Sequence, residues 1–136
     1  MTEDEKKKRL IQWAEIKHFT FEEFSDPSDV TSGLEFMNLE FVKIIDTLRD
    51  KCNFPFHITS GYRTPSHNAA VGGVEGSAHE AGIACDIAVS TGSERDSILK
   101  HSYALGIKRR GIGQTLVHLD LDFSKPQDVC WVYQGK

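Results

Sequence analysis

The stretch SAHEAGIACDIAV, residues 77–89, sets one histidine and one aspartate on either side of a short turn. Gly82 permits a sharp turn after His79. The second half of the stretch predicts a strand, in which Asp86 shares a face with two alanines. These small neighbours leave room above the Asp86 carboxylate for a bulky group to approach.

The segment VHLDLD, residues 117–122, predicts a second strand with two different faces. Its apolar side chains share one face, and His118, Asp120 and Asp122 share the other. Two imidazoles and one carboxylate, from His79, His118 and Asp86, are a suitable ligand set for a catalytic zinc ion. The spacing alone also allows a loop histidine, a strand-end cap and a solvent-facing strand residue, so both interpretations stay open at this point. The pair His79–Glu80 does not begin an HExxH motif, because position 83 is isoleucine.

The rest of the chain predicts helices followed by alternating strands and one further helix. The strongest helical pattern is a single helix over 34–52, where apolar residues recur at spacings of three and four. Helices are also predicted at 4–17 and 93–106, a capped turn at Thr20–Glu23, and strands at 56–62, 83–89, 107–112, 115–123 and 129–133. This order predicts an α+β domain, with a mostly antiparallel sheet flanked by helices.

Length and composition limit the classes of protein to which the chain can belong. The 136 residues fit one domain, with an N-terminal helix over 1–18 and a core over 19–133. The net charge of -4 argues against nucleic acid as a partner, and no apolar run of about 18 residues predicts a membrane span. The N-terminus lacks the apolar core of a signal peptide, so we expect synthesis in the cytoplasm. We expect reduced cysteines, with Cys85 and Cys130 buried in strands.

Three linked motifs resemble those of the zinc D-Ala-D-Ala carboxypeptidase family. They are SGYR at 60–63, the pattern SxHxxGxAxDI at 77–87, and HxD at 118–120. The family shares its fold with phage L-alanyl-D-glutamate endolysins and the hedgehog signalling domain. The resemblance runs from about residue 19 to 133 and is strongest to the short, single-domain branch, often encoded by phages or prophages.

The resemblance implies a role for each matching residue. His79, Asp86 and His118 match the zinc ligands. Arg63 matches the arginine that holds the substrate and steadies the developing oxyanion, a task suited to a permanently charged, forked donor. Ser77 matches a serine that hydrogen-bonds near the substrate. Without the resemblance, Arg63 would be read as a surface ion-pair residue and Ser77 as an ordinary loop hydroxyl.

The sequence departs from the family at the position of the general base. Many members carry an acidic residue three positions before the last histidine, where this chain has Thr115. The nearest candidate is Asp120, on the same strand face as His118. It could act as the base, or it could orient the His118 imidazole.

The sequence therefore predicts a zinc-dependent peptidase that acts on peptidoglycan stem peptides, as a carboxypeptidase or as an endopeptidase of the endolysin type. We expect a monomer that meets the cell wall after release. The alternative is a non-catalytic zinc-binding module, such as a phage structural protein, which the Thr115 departure favours. A third possibility is an α+β binding domain without metal, for which all three motifs would have to match by accident.

Overall fold

The structure is a computed structural model that describes residues 1–135. Five helices and one short 3-10 helix surround a sheet. The helices are α1 (Glu3–Trp13), α2 (Ser32–Phe36), α3 (Leu39–Cys52), α4 (Pro65–Ala70) and α5 (Gly92–Ala104), and the 3-10 helix is Phe21–Phe24. The predicted capping box is present, because Thr20 and Glu23 cap each other across this turn. The α+β class is confirmed.

The sheet has five strands in the order β1-β2-β4-β3-β5. They are β1 (Ile58–Ser60), β2 (Ala84–Ala88), β3 (Arg109–Ile112), β4 (Leu116–Asp120) and β5 (Val129–Val132). The pairs β1–β2, β2–β4 and β3–β4 are antiparallel, whereas β3–β5 is parallel. The prediction of a mostly antiparallel sheet was wrong, since the sheet is mixed. After β4 the chain passes β3 and adds β5 at its far edge, and side-chain alternation does not reveal which neighbour a strand will have.

The long helix predicted over 34–52 is two helices. Met37 is extended, with φ -72° and ψ 134°, and the Asn38 side chain caps α3 by accepting a hydrogen bond from the Phe41 backbone N–H. The Asn38 N–H donates to the Gly82 carbonyl oxygen at 2.9 Å. The break therefore ties α3 to the loop that precedes β2.

The two faces of the sheet have different roles. One face packs against α3 and α5 and buries a continuous apolar core, which includes Phe41, Ile45, Leu48, Ile87, Ile98, Val117 and Leu119. The opposite face of β2 and β4 carries Asp86, His118 and Asp120, all buried. Because strand side chains alternate, burying the apolar set fixes the polar set on the other face.

Strand β5 is an edge strand, and this changes the environment of Cys130. Cys85 is buried in β2 as expected, but Cys130 is exposed, so that prediction was wrong. Val132 shares the outer face of β5 and is also exposed. Within residues 1–135, no helix has both the length and the apolar character needed to cross a membrane.

Candidate metal centre

Strand pairing brings Asp86 and His118 together. They lie directly opposite each other in the β2–β4 register and on the same face. The Asp86 Oδ1 atom lies 2.9 Å from His118 Nδ1. Residues 32 positions apart thus meet because two antiparallel strands align them.

His79 reaches the same carboxylate from the loop before β2. Its Nε2 atom lies 3.3 Å from Asp86 Oδ1. The loop turns at Gly82, which has φ +71°, and a Cβ atom there would lie 2.0 Å from the Phe36 carbonyl oxygen. Both the left-handed conformation and the close approach require glycine. One nitrogen of each histidine and one oxygen of Asp86 all lie within 4.8 Å of one another.

The hydrogen bonds on the far sides of the two imidazoles decide what these atoms can bind. His79 Nδ1 lies 2.7 Å from the Gly61 carbonyl oxygen, and His118 Nε2 lies 2.8 Å from Asp120 Oδ2. Both partners are acceptors, so these nitrogens carry the protons. In the neutral imidazoles the lone pairs of the opposite nitrogens then face Asp86 Oδ1. Three converging acceptors repel one another unless a positive charge lies between them, so the cluster fits a divalent cation or a proton.

The ionisation of the cluster follows from the same contacts. Burial raises the pKa of Asp86, but when a proton lies between the carboxylate and the histidines, hydrogen bonds with His118 and His79 outweigh burial and hold that pKa well below its usual value. Burial lowers the pKa of His118, but its bonds to Asp120 and Asp86 outweigh it and leave that pKa raised. The site therefore keeps Asp86 as a carboxylate and attracts positive charge.

Asp120 has both carboxylate oxygens engaged. Oδ2 accepts from His118 Nε2, while Oδ1 accepts from Arg109 Nε and from the Asp122 backbone N–H, each at 2.9 Å. Burial raises its pKa, but the hydrogen bond with His118, helped by Asp122 and Arg109, holds it below its usual value. This arrangement fixes the direction of the His118 ring.

Arg63 lies on the β1 side of the cluster. Its guanidinium donates to Ser60 Oγ at 2.9 Å and to Asn68 Oδ1 at 3.2 Å, and its Nη2 lies 3.4 Å from Asp86 Oδ2. Three separate anchors thus hold the charged end of Arg63 beside the cluster.

Ser77 is buried, and its hydroxyl accepts a hydrogen bond from the His79 backbone N–H.

A cleft of about 500 Å³ opens over these residues. Its lining includes the three clustered residues together with Arg63, Ser77, Thr115 and Asp120. It also includes four residues for which the sequence analysis predicts no role: Arg109, Lys125, Trp131 and Tyr133. The signal for Trp131 and Tyr133 was their alternation along the last predicted strand, but only the position of β5 beside β3 brings these two aromatic residues to the cleft.

A protein-family model described as Peptidase M15 matches residues 17–120. The chain belongs to the M15 peptidase family. The matched segment contains His79, Asp86 and His118 and ends at Asp120. A comparison with curated proteins finds none that matches the chain. Membership in the M15 family, together with the His-Asp-His cluster, supports a metallopeptidase and suggests the hedgehog-type fold.

Proposed function

We propose that the protein is a zinc-dependent peptidase that hydrolyses peptide bonds in peptidoglycan stem peptides. The observation that carries the proposal is the convergence of His79, Asp86 and His118 on one point at the floor of an open cleft. The M15 family match supports the reaction class, and the resemblance to D-Ala-D-Ala carboxypeptidases and endolysins supports the substrate.

The three clustered residues would hold the ion. A bound zinc ion would supply Lewis-acid chemistry by polarising a carbonyl group and activating water. Around it, Arg63 would bind the substrate carbonyl or carboxylate and stabilise negative charge as it develops. Its three anchors keep the guanidinium in place before the substrate arrives, which reduces the reorganisation needed during reaction. Ser77 would hold the His79 loop and offer its hydroxyl to the substrate.

We assign to Asp120 the role of orienting the His118 ring, and not that of the general base that takes a proton from water. A carboxylate that already accepts from His118, Arg109 and Asp122 has little capacity left for water. Its hydrogen bond to the ring nitrogen opposite the proposed ligand atom is the arrangement by which proteins orient histidine ligands.

The alternative, a non-catalytic zinc-binding module, has one observation in its favour. Across residues 1–135, the carboxylates that line the cleft are Asp86 and Asp120, and both are engaged with histidine. Thr115 also lines the cleft, at the position where many related peptidases carry an acidic base. A site that binds zinc without hydrolysing peptides would fit this lining.

Cleavage of defined stem peptides separates the two functions. Zinc-loaded protein would be incubated with a pentapeptide ending in D-Ala-D-Ala and with a tetrapeptide that tests internal bonds, and products would be identified by mass spectrometry. The peptidase predicts metal-dependent release of one product, lost in His118→Ala. Bound zinc with no cleavage of either peptide would support the module.

The resemblance also supports a biological setting, which we propose on that basis alone. The short M15-like proteins that the chain resembles are often encoded by phages or prophages. A lysis enzyme of this kind would be made in the cytoplasm and would meet the cell wall after release.

A further inference from the structure

Strand β5 places two aromatic residues against the proposed ligand His118. Gly111 on β3 pairs with His118 on one side and with Trp131 on the other, so these three residues lie in one row across the sheet. The Trp131 ring lies 5.6 Å from the His118 ring. The Tyr133 ring lies 6.3 Å from it and nearly perpendicular, at 89°.

Gly111 makes room for the polar ends of both aromatic residues. A Cβ atom at this position would lie 2.7 Å from Trp131 Nε1 and 2.7 Å from Tyr133 Cε2. Cε2 is bonded to the carbon that carries the tyrosine hydroxyl. The hydroxyl half of Tyr133 and the N–H edge of Trp131 therefore both lie over the backbone of Gly111, beside His118.

A hydrogen bond between the two aromatic residues orients the hydroxyl. The Trp131 and Tyr133 rings are nearly perpendicular, at 87°, and the Trp131 side chain lies within hydrogen-bonding reach of the Tyr133 hydroxyl. An indole N–H can only donate, so the tyrosine oxygen accepts, and its own proton must point away from the indole. Trp131 is held in turn by the Arg109 guanidinium, 4.9 Å from its ring centre, and Arg109 is bonded to Asp120.

The topology sets Tyr133 and Arg63 on opposite flanks of the cluster. Arg63 follows β1 at one edge of the sheet, and Tyr133 follows β5 at the other, while Asp86 and His118 lie on β2 and β4 between them. Both side chains line the same cleft. The M15 match ends at residue 120, so this second flank is built by residues beyond the matched segment.

We propose that Tyr133 is a catalytic residue that contacts the substrate, donating a hydrogen bond from its hydroxyl to the carbonyl oxygen of the scissile bond, and that Trp131 is its positioning residue. The inference rests on the proposed peptidase function. A phenol keeps its proton at neutral pH and donates without bringing a second positive charge. A donor already in place is most effective when the oxygen gains negative charge in the transition state.

The test compares Tyr133→Phe, Trp131→Phe and Tyr103→Phe in the zinc-loaded protein, using the stem peptide that the wild type cleaves. Tyr103 is the matched control, because its hydroxyl donates to Asp128 and it does not line the cleft. We expect Tyr133→Phe to lower kcat about 100-fold with little change in KM. Trp131→Phe should lower kcat by less, and Tyr103→Phe should leave both constants unchanged. Zinc content and thermal stability should be retained in Tyr133→Phe.

Three results would overturn the inference while leaving the proposed function standing. They are an unchanged kcat in Tyr133→Phe, a rise in KM alone, and loss of zinc from this variant, which would indicate a structural role. Failure of the zinc-loaded wild type to cleave any stem peptide would overturn the proposed function and this inference together.

Discussion

Two buried aspartates of this protein have similar ionisation and different surroundings. Asp26 is 1% exposed and accepts hydrogen bonds from the backbone N–H groups of Ser28 and Thr64, from the Ser28 hydroxyl and from His67 Nδ1. Asp86 is 7% exposed and faces two histidine nitrogens. Burial acts to raise the pKa of each. Hydrogen bonds from its neighbours hold the pKa of Asp26 well below the usual value, and hydrogen bonds with His118 and His79 do the same for Asp86 when a proton lies between them.

The difference is where the protons of the neighbours lie. The backbone and hydroxyl groups around Asp26 carry protons that they donate to it, so this carboxylate is satisfied by the protein itself. The histidines around Asp86 give their protons to Gly61 and Asp120 on their far sides, which leaves acceptors facing an acceptor. A buried aspartate with a lowered pKa is therefore not enough to indicate a metal site. The indication is that its neighbours direct their protons away from the carboxylate.

The largest expected contrast is in metal affinity between two matched variants. Asp86→Asn should lose more zinc affinity than the roughly 100-fold that follows from losing a group that supports a ligand, because it removes the charge at the centre of the cluster. Asp26→Asn should bind zinc like the wild type. Competition with a chromophoric chelator measures both. Equal affinity in the two variants would refute the assignment of Asp86.

The free energy of unfolding should show the opposite contrast, with the larger loss in Asp26→Asn and the smaller loss in Asp86→Asn. Asp26→Asn sets an amide against groups that donate to the carboxylate, and we expect it to lose about 2 kcal/mol of unfolding free energy at neutral pH. Denaturant unfolding of the zinc-free protein measures this loss, with Asp50→Asn as an exposed control.

The same unfolding measurements at acidic pH test how the Asp26 carboxylate contributes to folding stability. Because the folded pKa of Asp26 lies below the unfolded value of about 3.9, its contribution is present above that pH and is lost as the pH falls through the folded pKa. Asp26→Asn should lack this part of the acid dependence, and an unchanged slope below about pH 4 would contradict a stabilising role of the Asp26 carboxylate.

Asp120→Asn should have a smaller effect on the metal than Asp86→Asn. If Asp120 orients His118, the variant should keep the site but bind zinc about 10- to 100-fold more weakly. If Asp120 were instead the general base, zinc affinity would be unchanged while kcat fell. Measuring chelator competition and peptide cleavage on the same preparation distinguishes the two roles.

The pH dependence of zinc binding should be the mildest effect. His118 has a raised pKa, so protons begin to compete with zinc at or above pH 6.5, and affinity should fall by roughly tenfold per pH unit below that pKa. Titrations between pH 8 and pH 6 measure the slope. Asp26 stays ionised over this whole range because its pKa is lowered. A loss of folding stability in the zinc-free protein, in parallel with the loss of zinc affinity, would therefore contradict the independence of Asp26 from the metal site.

The sequence predicted those parts of the molecule that depend on local pattern. Alternation identified β2 and β4, and motif spacing singled out the three clustered residues. Asn38 is a local helix-start signal that the apolar periodicity over 34–52 hid, whereas its contact with the Gly82 carbonyl, far along the chain, could not be predicted. Nor could the sequence predict that Trp131 and Tyr133 line the cleft, since their position depends on β5 lying beside β3. Contacts set by strand order are absent from any short stretch of sequence.

The central claim is that His79, Asp86 and His118 hold one metal ion. The most direct test is the metal content of the purified and zinc-reconstituted protein by mass spectrometry, with His79→Ala and His118→Ala alongside and Asp26→Asn as the folded control. We expect about one zinc ion per chain in the wild type and in Asp26→Asn, and none in either histidine variant. A wild-type protein that takes up no zinc on reconstitution, or histidine variants that keep it, would contradict the claim.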